Sequence, residues 1–269
     1  MLTLLARLFV LSLMLLQAPQ ATAAFDHSHA EFSRILATVV VRQGPHSAVR
    51  YDLLKAWPGD LDHYLARVSA VDRGEFEHWT RARRIAFLIN AYNALTLKLV
   101  RDAYPDLNSI KDLGGLFNSP WQRDFFRLFG QPHDLDYIEH DLLRGRYHEP
   151  RIHFAIVCAA RSCPPLQPWA YRGDRLEAQL EQVTRNFIRD PGRNRYDAGR
   201  QRLSLSPIFK WFGGDFVRVA GSVPAFVARY ITDDPILRQE IAAPATGLDY
   251  LGYDWSLNVA PAGRAAPAR

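Results

Sequence analysis

The stretch from about Thr80 to Ala103 constrains this chain more than any other. Its centre reads Arg84-Ile-Ala-Phe-Leu-Ile-Asn90-Ala-Tyr-Asn93-Ala-Leu-Thr96-Leu97, and it stops at Pro105, which disfavours a helical residue just before it. Apolar residues cover nearly the whole circumference, so the helix must be buried on most sides. The chain has 269 residues, enough for one large domain or two small ones. A hydrophobic content of 48% with 12% aromatics excludes a disordered chain and a collagen-like repeat. Only two cysteines are present, which rules out a dense disulfide framework and a four-thiolate zinc site within one chain.

The net charge is +5, yet the 33 basic residues are spread among 28 acids without a run of five. That is a solvated surface, and no nucleic-acid partner is expected. Residues 1–24 read as a signal peptide. Arg7 precedes an apolar run from Leu8 to Leu16 that only Ser12 interrupts, and Ala21-Thr22-Ala23 fits the small-x-small cleavage pattern near Ala23/Ala24. The run falls short of the roughly 20 residues a membrane-spanning helix needs, and no stable membrane anchor is expected. Cleavage removes Arg7 alone among the charged residues. The expectation is a soluble protein, periplasmic or secreted, in an oxidising compartment.

Further along, helical spacing predicts elements over 30–41, 61–71, 136–143, 174–189 (with Asp174 as N-cap) and 222–230. Residues 125–135, with Gly130-Gln131-Pro132 in the middle, suggest two short strands and a turn, and 195–205 a hairpin around Gly199. Arg151 to Cys158 reads as a buried strand, and 249–257 as a final strand. Residues 259–269, rich in Ala, Pro and Gly, read as a disordered tail. Mixed elements without regular alternation predict an α+β single domain over 25–258, its long central helix packed on a small mixed or antiparallel sheet.

Asn90 and Asn93 lie three apart on the buried helix, where each carboxamide must find partners or cost about 1–3 kcal/mol. Asn90 could orient a substrate or a base, or merely tie loops to the helix. Cys158 and Cys163 admit three states: a disulfide, a reactive thiol beside a histidine, or an inert buried thiol. On a regular strand, His153 and Cys158 would point to opposite faces, so pairing would need a bend or the use of Cys163. His140 is a second candidate base, with Glu139 badly placed to orient it. His27-Ser-His29 offers too few ligands, on a mobile end, to define a metal site. No phosphate-cradling glycine loop, Gly-x-Ser-x-Gly elbow or His-Glu-x-x-His helix occurs, and no cofactor is expected.

The set Ala86-Phe-Leu-Ile-Asn90-Ala-Tyr-Asn93, Tyr137-Ile-Glu-His140, Arg151-Ile-His153-Phe-Ala-Ile-Val-Cys158, Ser162-Cys163-Pro-Pro, Ile208-Phe-Lys-Trp211 and Tyr253-Asp-Trp-Ser-Leu-Asn258 resembles the domain of unknown function 547 (DUF547) family. That family occurs in exported bacterial proteins and in plants. Leu88 departs from it, since tryptophan often stands there. The resemblance draws interest to Asn90, His140, His153, Cys158 and Cys163 without assigning them roles. In layout, a buried helix followed by a histidine-bearing strand is similar to papain-like and transglutaminase-like folds, although the helix carries asparagine in place of cysteine.

Two functions follow as expectations. One is a binding or structural domain of the periplasm that takes an unknown small molecule or peptide, with Trp121, Trp169, Trp211 and Trp255 in the core or along a groove. The other is a cysteine-dependent hydrolase or acyl-transfer enzyme. There Cys158 or Cys163 is the nucleophile, His140 or His153 the base, and Asn90 a positioning or oxyanion group.

Overall fold

A computed structural model describes residues 24–115 and 119–261, so all of the expected signal segment except Ala24 lies outside the described residues. The chain opens with α1 (Ala30–Val39), a hairpin of β1 (Val40–Gln43) and β2 (His46–Val49), then α2 (Tyr51–Ala56), α3 (Gly59–Ala70) and α4 (Arg73–His78). The central helix α5 runs Arg81–Ala103, started by Thr80, whose hydroxyl accepts the Arg83 N–H. Every residue from Ile85 to Leu97 is buried.

A second hairpin joins β3 (Phe126–Leu128) to β4 (Gln131–His133) through Phe129 and Gly130, both at positive φ, as a tight right-twisting turn requires. A π-helix (Tyr137–Arg144), α6 (Gly145–Tyr147) and a 3-10 helix (Pro150–Phe154) follow. The remainder is α7 (Leu176–Ile188), β5 (Arg195–Asp197), β6 (Arg202–Leu205), α8 (Ile208–Trp211), α9 (Gly213–Ala220), α10 (Val223–Ile231), α11 (Pro235–Ala242) and β7 (Gly247–Tyr250).

The class is α+β in one domain, with a correction to its layering. Among the described residues the strands form three separate ribbons, of which only β5-β6-β7 has three strands, β7 running parallel to β6. The main neighbours of α5 are α2, α3 and the π-helix. The helix is wrapped by helices where the sequence predicts a sheet beneath it. A second centre of packing stacks Phe154, Phe187, Phe209, Phe216 and Phe226 between the 3-10 helix and α7–α10.

Other expectations also shift. The apolar run 151–158 is buried, but as a 3-10 turn and a loop. Pro150 opens that turn while the Glu149 carboxylate caps the Arg151 N–H. Asp174 does not cap α7, because its carboxylate is taken by Arg172 and the helix starts two residues later. Of the final strand only 249–250 is regular. Beyond it Leu257 bridges to Ala160, and Val259 pairs with Val49. The Ala260 N–H donates to the Val49 carbonyl (2.9 Å), so the fold continues past 258, while 262–269 lie outside the described residues.

Near the start of the described residues Phe25 and His29 are buried. His29 is buried with Nδ1 2.9 Å from the Tyr64 hydroxyl, and burial pulls its pKa down to about 3. The His27 ring stands edge-on to Trp79 at 4.4 Å. Both imidazoles are held by aromatic rings.

Candidate functional site

Asn93 begins the construction of the site. Its Nδ2 donates to the Ala155 carbonyl and its Oδ1 accepts the Val157 N–H, both at 3.0 Å. These bonds fix the loop that leaves the 3-10 helix against α5. From there the loop carries Cys158 and Cys163, which are joined in a disulfide. The C-terminal segment laces the loop from the other side: the Arg161 N–H donates to the Ser256 carbonyl and the Asn258 N–H to the Ala159 carbonyl, both at 3.0 Å. Through this lacing the Tyr253 hydroxyl comes within 3.3 Å of one sulfur and 3.4 Å of the other.

Next to the sulfurs opens a cavity of about 310 Å³. Trp121, Trp211, Phe212, Tyr253 and Trp255 line it with rings, and Trp255 is 4.6 Å from Tyr253 and 5.7 Å from Trp211 between centroids. Asp136, Glu139, His140 and His153 also reach the wall, as do both cysteines. Because residues 151–158 are not a strand, the alternation that would separate His153 from Cys158 does not operate, and both line the same space.

Each polar group is held in its own way. His153 is buried, stacked on Phe212 at 4.0 Å, with Nε2 2.8 Å from an Asp215 carboxylate oxygen. Burial pulls the imidazole below its ordinary value, against the raising effect of Asp215. For Asp215 burial alone would raise the pKa, but the hydrogen bonds from His153 and Arg144 reverse this and hold the carboxyl well below the usual carboxylate range. Glu139 is buried and accepts the Tyr92 hydroxyl at 3.0 Å. His140 is half-exposed; its Nδ1 accepts from Arg144 (2.7 Å), and Nε2 faces Asp136 at 3.6 Å, so Glu139 does not orient it. Burial raises the Asp136 pKa.

Four of the five candidates therefore meet at one cavity: Cys158, Cys163, His153 and His140. Asn90 does not. Its amide closes a two-bond ring with the Tyr171 backbone, donating to the carbonyl (2.7 Å) and accepting the N–H (2.9 Å), away from the cavity lining. It ties the Tyr171 loop to α5. Among the four tryptophans, Trp121, Trp211 and Trp255 line the cavity, while Trp169 packs on Tyr171. Sequence reasoning missed Asp215, which lies 62 residues from His153 with no motif around it. It also passed over Tyr92 and Asp136. Their signal was weak but present, since Tyr92 sits between the two asparagines.

A family model described as "Protein of unknown function, DUF547" matches residues 76–188. The match supports DUF547 membership. It takes in α5, the π-helix, the cysteine loop and all of α7, whereas Trp211, Asp215, Tyr253 and Trp255 fall beyond it. No curated protein and no solved structure matches the chain. Among the described residues there is no cluster of three or more His, Cys, Asp or Glu fit to hold a metal, and no helix is long and apolar enough to cross a membrane.

Proposed function

We propose that this DUF547 protein is an exported domain that binds a small organic molecule, or the end of a peptide, in the cavity beside the Cys158–Cys163 disulfide. One observation carries the reading. Segments far apart in the sequence converge their aromatic rings, two carboxylates, two imidazoles and both sulfurs on a single space of about 310 Å³. That volume falls within the roughly 300–1,000 Å³ typical of ligand sites, where apolar walls surround a few polar groups. Export is supported by the Met1–Ala24 pattern and by bridged cysteines, which persist in oxidising compartments.

Thermal denaturation with a panel of ring-bearing small molecules tests it. A ligand that fills the cavity raises Tm by about 2 °C or more at saturation. Trp211→Ala, which removes a half-exposed wall, abolishes the shift. A panel that moves neither Tm nor tryptophan fluorescence refutes the reading.

A second reading, cysteine-dependent acyl transfer or hydrolysis, is favoured by one feature: His153, oriented by Asp215, shares the cavity with both sulfurs. It requires the disulfide to be opened by a dithiol, which leaves as its own disulfide and yields two thiols. Reduced protein that hydrolyses an activated ester, with the activity lost in Cys158→Ser and His153→Gln, establishes this chemistry. Ester hydrolysis no faster than in buffer rejects it.

A further inference from the structure

The charged residues lining the cavity are acids, while two cations, Lys111 on Trp255 and Arg144 on His140, stand behind lining residues. In a chain with net charge +5, the lining contains Asp136 and Glu139 and neither lysine nor arginine. Arg144, outside the lining, binds Asp215 through Nε (2.6 Å) and Nη2 (3.2 Å) and turns its remaining Nη1 to His140 Nδ1 (2.7 Å).

The buried imidazole adds no opposing charge, because burial favours its neutral form. With the Asp215 carboxylate accepting, the proton shared between them sits on Nε2 of His153, which leaves Nδ1 as a lone-pair acceptor in the neutral ring. That Nδ1 is buried and has no hydrogen-bond partner, the only such side-chain atom among the residues lining the cavity in the described structure. The rings point the same way, because aromatic faces attract cations. The chain itself provides an example: the Lys111 ammonium sits 3.8 Å from the centre of the Trp255 ring.

Resting on the cavity's being a ligand site, we infer that it selects an organic ammonium ion with a flat apolar face. Trp211, Tyr253 and Trp255 take the ring, while Glu139 and Asp136 receive the N–H donors. A carboxylate-bearing ligand of the same shape meets two like charges and is rejected.

The test uses three probes of one shape, benzylammonium, benzyl alcohol and benzoate, titrated into the full oxidised chain by calorimetry and by tryptophan fluorescence. Benzylammonium should bind at least about tenfold more tightly than benzyl alcohol, and benzoate most weakly. Glu139→Gln should remove most of the preference for the cation, lowering the affinity for benzylammonium by more than that for benzyl alcohol. If Glu139→Gln fails to fold, Asp136→Asn, at a more exposed carboxylate, provides the same comparison. Benzyl alcohol or benzoate binding as tightly as the amine overturns the charge assignment and leaves the cavity a ligand site. Binding of none of the three overturns both.

Discussion

The amides of α5 and the wall of the cavity are both buried and both polar, yet they are finished differently. Asn90 and Asn93 each use oxygen and nitrogen on the backbone of a neighbouring loop, so that neither polar atom is without a partner. His153, on one of the segments steadied by Asn93, has one nitrogen engaged with Asp215 and the other buried without a partner, in a ring that helps line the cavity. A buried polar group closed on its own backbone stabilises the fold. One with an unused valence at a cavity is available to something else.

The largest effect that would separate the two regions comes from the amides. Asn90→Ala strands the Tyr171 N–H and carbonyl and should cost about 3 kcal/mol in denaturant unfolding, with the ligand affinity of the surviving folded protein unchanged. Asn93→Ala should cost as much and also weaken binding, because it frees the loop that carries Cys158. Equal effects of both variants on binding would erase the distinction.

Reduction of the disulfide comes next. Closing so short a loop restricts the unfolded chain by about 2 kcal/mol, and dithiothreitol should lower Tm by that equivalent. Alkylation of the native protein should label no thiols before reduction and two after it.

Acid sharpens the contrast. A histidine with a depressed folded pKa takes up its proton more readily when unfolded, so its contribution is fully present above pH 6.5 and declines as the pH falls below that value. His29, at about 3, and His153 act in the same sense. Asp215, also depressed, adds to the loss at lower pH. Stability should fall by up to about 1.4 kcal/mol per pH unit for each such histidine, and His153→Gln should flatten the slope where Asn90→Ala leaves it intact. An unchanged slope in His153→Gln contradicts the buried, neutral imidazole.

The smallest expected change in stability belongs to Trp211→Ala, under about 1 kcal/mol because the ring is half-exposed. Its effect on binding should be the opposite, a loss of most of the affinity.

The parts of this arrangement that were readable from sequence are those with local signals. Thr80 and Pro105 bracket α5, and Gly130 marks the β3–β4 turn. The order of the motifs also drew attention to Cys158, Cys163, His140 and His153, which do share a cavity. Residues 151–158 misled because a short apolar run cannot be told from another buried segment by periodicity alone, and Pro150 with Glu149 started a 3-10 turn. Asn90 misled because its burial says that it has partners without saying which. Asp215 was invisible, since only tertiary packing brings α9 to the imidazole.

The lacing of the cysteine loop to residues 254–258 has a practical corollary for anyone trimming the gene. A fragment cut to the 76–188 homology region would retain the sulfurs, both imidazoles and both acids, but would lack the far wall and the carboxylate that orients His153. Such a truncation would be half a vessel, and its silence in an assay would say nothing about the whole.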